Sequence, residues 1–113
     1  IDRSGPPTSK QGRKFFVPPE ISASWAGLIR HPARDWLRME WNADQVPYLS
    51  VWVDEGAFNP ASVVALEPTT GFYDSLVVAW EKSKVIMIAP HETQSWGLTV
   101  RLGTGEERFP TDD

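Results

Sequence analysis

The stretch PYLSVWVDEGAFNPASVVALEPTTGFYDS, residues 47–75, decides how the rest of the chain is organised. Tyr48–Glu55 places Leu49, Val51 and Val53 on one face and a more polar set on the other, which is the period of a β-strand. Ala61–Glu67 is largely apolar and ends in an acid, and it is predicted as a second strand. The second strand ends at Glu67, and Pro68 then begins a turn rich in Thr and Gly. We therefore expect a carboxylate held by a rigid turn at the mouth of a strand, which is the position in this chain best suited to chemistry.

Further strands are predicted on both sides of this stretch. Arg13–Val17 is short and stops at two prolines, and Asp35–Trp41 alternates clearly. Lys84–Ala89 is apolar on both faces, as a central strand would be. In the last predicted strand, Gln94–Leu102, the residues expected to point inward are Trp96, Leu98, Val100 and Leu102.

Two segments are ambiguous between helix and strand. Glu20–His31 carries apolar residues at helical spacing, although the stretch is brief. Leu76–Trp80 is predicted as a short helical turn that Asp74 or Ser75 would cap, with a strand as the alternative because of its two valines.

Strands at this spacing, with no strand-helix-strand pattern, predict an all-β fold, an antiparallel β-sandwich. We expect one domain over residues 13–104. Residues 1–12 are polar and lack periodicity, which predicts a flexible N-terminal arm, and residues 105–113 are predicted to be a polar tail.

Charge and composition exclude several classes of function. Lys and Arg total 11 against 15 Asp and Glu, so an acidic chain without a basic cluster is not expected to bind nucleic acid. With no cysteine, and with only His31 and His91, we expect no metal and no cofactor. No apolar run approaches the ~20 residues of a membrane helix, and no signal peptide opens the chain. These features predict a soluble, cytoplasmic protein.

Aromatic and acidic residues near Glu67 are candidates for binding a ligand. Trp52 and Phe72 either pack in the core or offer a flat surface to the apolar face of a sugar ring. Asp54 lies on the same strand face as Trp52 and either binds a polyol or ends the strand in solvent. From the residues alone, Glu67 itself either caps the turn or pairs with a nearby arginine.

Three blocks of the sequence together resemble a known family. PYLSVWVDEG, VVALEPTTGFYDSL and IAPHETQSWGLTVRLG resemble, in this order and spacing, the C-terminal part of the aldose 1-epimerase (galactose mutarotase-like) superfamily, over roughly Tyr48–Gly103. The resemblance implies part of that superfamily's β-supersandwich. It also implies an isomerase that interconverts the anomers of a monosaccharide or sugar derivative, with Glu67 as the catalytic base and Trp52, Asp54 and Phe72 binding the substrate.

The chain departs from this family in its N-terminal part. The family's histidines and substrate-binding arginine have no counterpart here, and neither His31 nor His91 matches the family's acid. We therefore expect a fragment or a reduced form whose cleft needs a second chain or a missing N-terminal part. The alternatives are a carbohydrate-binding module without catalysis, and a structural domain that forms a homodimer through its exposed strand edges.

Overall fold

The computed structural model describes residues 5–111, which form two antiparallel three-stranded sheets and one short helix. The first sheet has the strand order β1-β4-β5 and the second has the order β2-β3-β6. This confirms the predicted all-β, sandwich-like fold. The elements are β1 (Gln11–Phe16), β2 (Trp25–Arg30), β3 (Asp35–Trp41), β4 (Tyr48–Glu55), β5 (Ser62–Thr69), α1 (Leu76–Glu81) and β6 (Leu98–Gly103).

One face of the first sheet collects most of the residues of interest. Residues directly opposite one another on antiparallel strands share a face. Ser50 of β4 lies opposite Phe16 and Glu67, and Trp52 lies opposite Lys14 and Ala65. This surface, called the Glu67 face below, carries Gly12, Lys14, Phe16, Tyr48, Ser50, Trp52, Asp54, Val63, Ala65, Glu67 and Thr69.

The two sheets are joined through a small hydrophobic core. Trp41 at the end of β3, Val46 in the following loop and Leu49 of β4 are all buried and pack together. Val17, which follows β1 of the first sheet, packs against this cluster, and so does Met39 of β3 in the second sheet. Since β3 belongs to the second sheet and β4 to the first, this cluster is the joint that holds the sheets together.

Away from this joint the sandwich is open. The accessible surface is 7982 Å², whereas a compact protein of this mass exposes about 6,200 Å². The radius of gyration is 16.0 Å, against about 13 Å for a compact domain of similar length. Large apolar side chains consequently remain exposed, mostly in the C-terminal half of the chain.

The C-terminal segment folds back over one face of the second sheet. Phe109 packs on Trp25 and Trp36, with ring centroids 6.0 and 5.5 Å apart, respectively. A Cβ on Gly27 would lie 2.3 Å from the ring of Phe109, so only glycine leaves room for it. Arg38 is buried over the ring of Trp25 and donates to the carbonyl oxygen of Pro110 at 2.6 Å. The predicted polar tail therefore packs on the second sheet through Phe109 and Pro110, while its other described residues are exposed. Its last two residues lie outside the described part.

The N-terminal segment also makes specific contacts. Gln11 and Gly12, within the predicted arm, belong to β1. Ser9 donates to the Glu55 carboxylate at 3.1 Å, and the N–H of Lys10 donates to the Glu55 carbonyl at 2.9 Å. Residues 5–10 therefore wrap around the end of β4. The first four residues of the predicted arm lie outside the described residues.

Two predicted strands are wrong in extent or absent. Lys84–Ala89 is not a central strand, because its residues form only an isolated bridge between Val85 and Gly71. The last strand begins at Leu98 rather than Gln94, and the four side chains expected to point inward are exposed. These four side chains are therefore apolar and alternate as expected, but they are not buried against other residues of the described chain.

The structure resolves one ambiguous segment, revises one local prediction and confirms another. Glu20–His31, whose apolar spacing was ambiguous, contains β2 (Trp25–Arg30), which pairs with β3. Pro68 lies inside β5 rather than in a turn. β5 is an edge strand and forms backbone hydrogen bonds to a neighbour on one side only, so a proline, which has no N–H group, is tolerated there. The helical turn after Asp74 is confirmed as α1, and Ser75 is its N-cap.

Candidate functional site

Glu67 lies on β5 with its carboxylate held from two sides. The hydroxyl of Ser50, on the neighbouring strand, donates to Oε2 at 3.1 Å. The ammonium of Lys14, from β1 across the sheet, lies 3.0 Å from the same oxygen. Three strands thus converge on one carboxylate, because Lys14, Ser50 and Glu67 all belong to the Glu67 face.

The second carboxylate oxygen of Glu67 is open to a ligand. Both protein donors bind Oε2, and no donor among residues 5–111 binds Oε1. The side chain retains 38% of its exposure. A carboxylate accepts hydrogen bonds at both oxygens, so Oε1 can accept a proton or a hydroxyl group from a molecule bound at this face.

Lys14 bridges two acidic side chains. Its ammonium lies 3.0 Å from Glu67 and 3.1 Å from Asp74, a residue of the loop between β5 and α1. The hydrogen bond to Glu67 raises the pKa of Lys14, and Asp74 raises it further, which outweighs the opposing effect of partial burial. Lys14 is therefore a fixed positive charge between two carboxylates at neutral pH.

This geometry makes the titration of Lys14 sensitive to Glu67. In the wild-type protein, the Nζ of Lys14 should titrate above the ordinary 10.5, and Glu67→Gln should lower its pKa toward that value because the strongest partner is lost. The measurement is NMR of the side-chain ammonium or of the adjacent methylene carbon across alkaline pH.

The matched control for this titration is Glu106→Gln, which removes an exposed carboxylate in the C-terminal segment. It should leave the titration of Lys14 unchanged. An equal effect of both substitutions would show that only the net charge matters and that Lys14 does not contact Glu67.

An aromatic cluster positions the loop that carries Asp74. Phe16 of β1 stacks on Tyr73 with centroids 4.5 Å apart and meets Phe72 edge-on at 6.1 Å. Tyr48 of β4 lies 5.9 Å from Phe72. Tyr73 has a φ of 85°, a strained conformation for a residue with a side chain, so the surrounding rings must hold it. Phe72 therefore packs within the site rather than standing free as a ligand surface.

Trp52 provides an aromatic surface on the same face as Glu67. It is half-buried, and its register partner on β1 is Lys14. Phe58, from the loop after β4, lies 6.1 Å away and is largely exposed. These two rings flank the charged centre on the side opposite the Phe16 cluster.

Asp54 binds backbone groups of a loop, whereas the resemblance implied that it binds the substrate. Its side chain is 0% exposed, and its two oxygens accept the backbone N–H groups of Ala57, Phe58 and Asn59 at 2.7 to 3.2 Å. Burial raises the pKa of this carboxyl, but the N–H groups outweigh it and the pKa is lowered. Asp54 holds the loop after β4 and does not face a ligand.

A shallow depression adjoins the charged centre. It has a volume of about 250 Å³ and lies between the turn after β5 and the first turn of α1. Thr69, Tyr73 and Asp74 line it together with Ala79 and Val85. Pockets for drug-sized ligands usually measure roughly 300–1,000 Å³, so this one suits a smaller molecule.

The sequence identified part of this site and missed the rest. Glu67 and Trp52 were predicted, and the structure places them on one face. Lys14 and Ser50 were not predicted as members of the site. The polar alternation of Tyr48–Glu55 already put Ser50 beside Trp52, whereas Lys14 joins them through the β1–β4 register, which the sequence alone does not fix.

Two further kinds of site are absent from the described residues. Over residues 5–111, no group of three or more His, Cys, Asp or Glu side chains is arranged to hold a metal ion. In the same part of the chain, no helix has the length and apolar character needed to cross a membrane.

Comparisons with protein-family models, with curated proteins and with solved structures found no match to this chain.

Proposed function

We propose that this chain is a carbohydrate-active protein that binds a monosaccharide on the Glu67 face and acts on its anomeric centre. The observation that carries the proposal is the asymmetric Glu67 carboxylate, in which Ser50 and Lys14 fix Oε2 while Oε1 is open. A general base must be held within hydrogen-bond reach of the proton that it removes, and this arrangement leaves one oriented oxygen for that purpose.

The proposed reaction interconverts sugar anomers. Oε1 of Glu67 accepts the proton of the anomeric hydroxyl while the bond between C1 and the ring oxygen breaks, and an acid protonates the ring oxygen. The open-chain aldehyde rotates about C1–C2 and recloses with the proton transfers reversed. The resemblance to aldose 1-epimerases assigns the same role to Glu67.

The rings near Glu67 support a sugar as the ligand. Pyranoses present C–H groups on their faces and hydroxyl groups around their rim, so they need a flat apolar surface beside polar groups. Trp52 and Phe58 provide the aromatic surface. The carboxylates of Glu67 and Asp74 can accept hydrogen bonds from the hydroxyl groups of the sugar. The depression of about 250 Å³ lies on the other side of Glu67, beside Tyr73 and Asp74, and offers space for a polar group of the bound sugar.

A carbohydrate-binding module without catalysis is the second candidate, and Lys14 favours it. Among residues 5–111, Lys14 is the cation that contacts Glu67, and its pKa is raised above 10.5. Such a group releases its proton poorly near neutral pH. Catalysis would therefore need an acid from another polypeptide, whereas binding would not.

The proposal involves no cofactor, and we place the protein in the cytoplasm. A chain without cysteine has no need of an oxidising compartment, and anomers of free sugars are metabolised inside cells.

The proposal is tested by titrating the ¹⁵N-labelled protein with galactose and with glucose. We expect chemical-shift changes centred on Lys14, Ser50 and Glu67. Glu67→Gln should weaken binding about tenfold or more, because a hydrogen bond to a charged group contributes about 1.5–3 kcal/mol. Glu106→Gln, in the exposed segment after β6 of the second sheet, should bind as the wild type does.

Polarimetry of freshly dissolved α-galactose separates the two candidates. Acceleration of mutarotation by the wild type, lost in Glu67→Gln, would identify an epimerase. Binding without acceleration would identify a binding module. If neither sugar shifts resonances of the Glu67 face at concentrations up to about 100-fold above the protein, the carbohydrate proposal is wrong.

A further inference from the structure

Strand β6 is an exposed edge of the second sheet. Leu98, Val100 and Leu102 point to one side and are 41%, 46% and 72% exposed. β6 pairs with β3 on one side, and no strand among residues 5–111 pairs with it on the other. Its outer N–H and C=O groups are therefore available to another strand.

The other edge strands of the described residues are protected, and β6 is not. β1 carries Arg13 and Lys14, and β5 contains Pro68, which lacks an N–H. β2 is half-buried from Trp25 to Leu28, where Phe109 packs over Gly27. Natural proteins block edge-to-edge pairing with such charges, prolines and covers.

The single charge on β6 does not protect its edge. Arg101 donates to the carboxylate of Glu40, a β3 residue, at 2.5 Å. The guanidinium is thus directed toward β3, where it shares the Glu40 carboxylate with Arg38, and away from the outer edge of β6. Proline, lysine and acidic residues are absent from the strand itself, LTVRLG.

The sequence of β6 is complementary to itself in an antiparallel pair. A two-fold axis through Val100 places Leu98 opposite Leu102 of a second copy, and Val100 opposite its own equivalent. On the other face, Thr99 lies opposite Arg101. Every apolar side chain then meets an apolar one, and like charges do not face each other, which is the favourable pattern for cross-strand neighbours.

The exposure of β6 also distinguishes it from its neighbour. Every residue from Leu98 to Leu102 is exposed, whereas β3 is buried or half-buried over its whole length. A second strand can therefore be added at this edge without displacing any part of residues 5–111.

We propose that β6 is a dimerisation surface, through which two copies of this chain pair antiparallel about an axis at Val100. The two second sheets become one continuous six-stranded sheet, in which the outer backbone groups of both β6 strands are paired and their apolar side chains lie next to one another. The interface is isologous, so it closes as a dimer and does not grow further.

The test is sedimentation of the wild type and of variants at the axis. We expect the wild type to be a dimer. Val100→Lys and Val100→Glu each place two like charges opposite one another, and each should raise the dissociation constant on the order of 100-fold. Mixing the two variants places lysine opposite glutamate and should restore the dimer. Ile21→Lys, at an exposed site outside the strands, should leave dimerisation unchanged.

Several results would overturn the proposal. A wild type that stays monomeric at millimolar concentration would do so, as would open-ended oligomers in place of a dimer. The mixing experiment guards against misfolding, because unfolded variants would not recover a dimer together. If Val100→Lys dimerises as tightly as the wild type, the interface lies elsewhere.

Discussion

Replacing Trp41 by alanine is expected to lower the free energy of unfolding by about 3–5 kcal/mol, the usual cost of truncating a buried aromatic residue. Trp41 is 7% exposed and packs with Val46 and Leu49 at the joint between the two sheets. Few apolar residues are buried among residues 5–111. The loss would therefore be a large fraction of the free energy of unfolding, which for folded domains is typically about 5–15 kcal/mol. Guanidinium denaturation followed by circular dichroism measures it.

Trp41→Phe is the matched control. Among the described residues, the indole N–H of Trp41 is buried without a hydrogen-bond partner, and an unpaired buried donor costs about 1–3 kcal/mol. Phenylalanine removes that donor and keeps an aromatic ring, so the gain offsets much of the lost packing. We expect a change within about 1.5 kcal/mol. If Trp41→Ala were equally mild, the sheets would be held together by something other than this joint.

The sequence predicted strands best where one face packs on the core and the other does not. β3 and β4 begin and end at the predicted residues, since their alternation reflects burial on one side only. The segment that contains β2 was ambiguous from its sequence, because a short apolar stretch does not distinguish the two periods. Its pairing with β3, a tertiary contact, decides the outcome.

The C-terminal half was predicted less well because its apolar residues lack a covering layer. Met87, Ile88 and Leu102 were expected inside and are each more than half exposed. An apolar pattern shows that a segment tends to be buried, but it does not show what buries it.

The candidate site was predicted to the extent that it depends on local order. Glu67 was identified as the acid that follows an apolar run, although β5 continues past it to Thr69, whereas Lys14 reaches it only through the pairing of β1 with β4. Asp54 shares a strand face with Trp52, as predicted. Asp54 is buried because the loop Ala57–Asn59 turns back and its N–H groups donate to the Asp54 carboxylate. The spacing of apolar residues does not predict such a turn.

Replacing Asp54 by alanine should lower the melting temperature by about 10 °C, because the N–H groups of the following loop lose their acceptor. Both carboxylate oxygens accept these donors, Oδ1 from Ala57 at 2.7 Å and Oδ2 from Asn59 at 2.8 Å. Asp54→Asn keeps one acceptor oxygen and should lose roughly half as much. Asp44→Asn, at an exposed loop position, is the control and should melt as the wild type does.

The carboxylate of Asp54 should also make the stability of the protein depend on pH in the acidic range. The pKa of Asp54 in the folded protein is below the ordinary 3.8, so below that pH the unfolded chain takes up a proton that the folded one does not. Its stabilisation is complete above pH 3.8 and is lost as the pH falls through the lowered pKa. The pKa of Glu40 is also lowered, by Arg101 and then Arg38, and acts in the same direction. Thermal melts from pH 5 to pH 2 should therefore fall less steeply for Asp54→Asn than for the wild type, and equal slopes would show that the loop N–H groups do not bind an ionised Asp54.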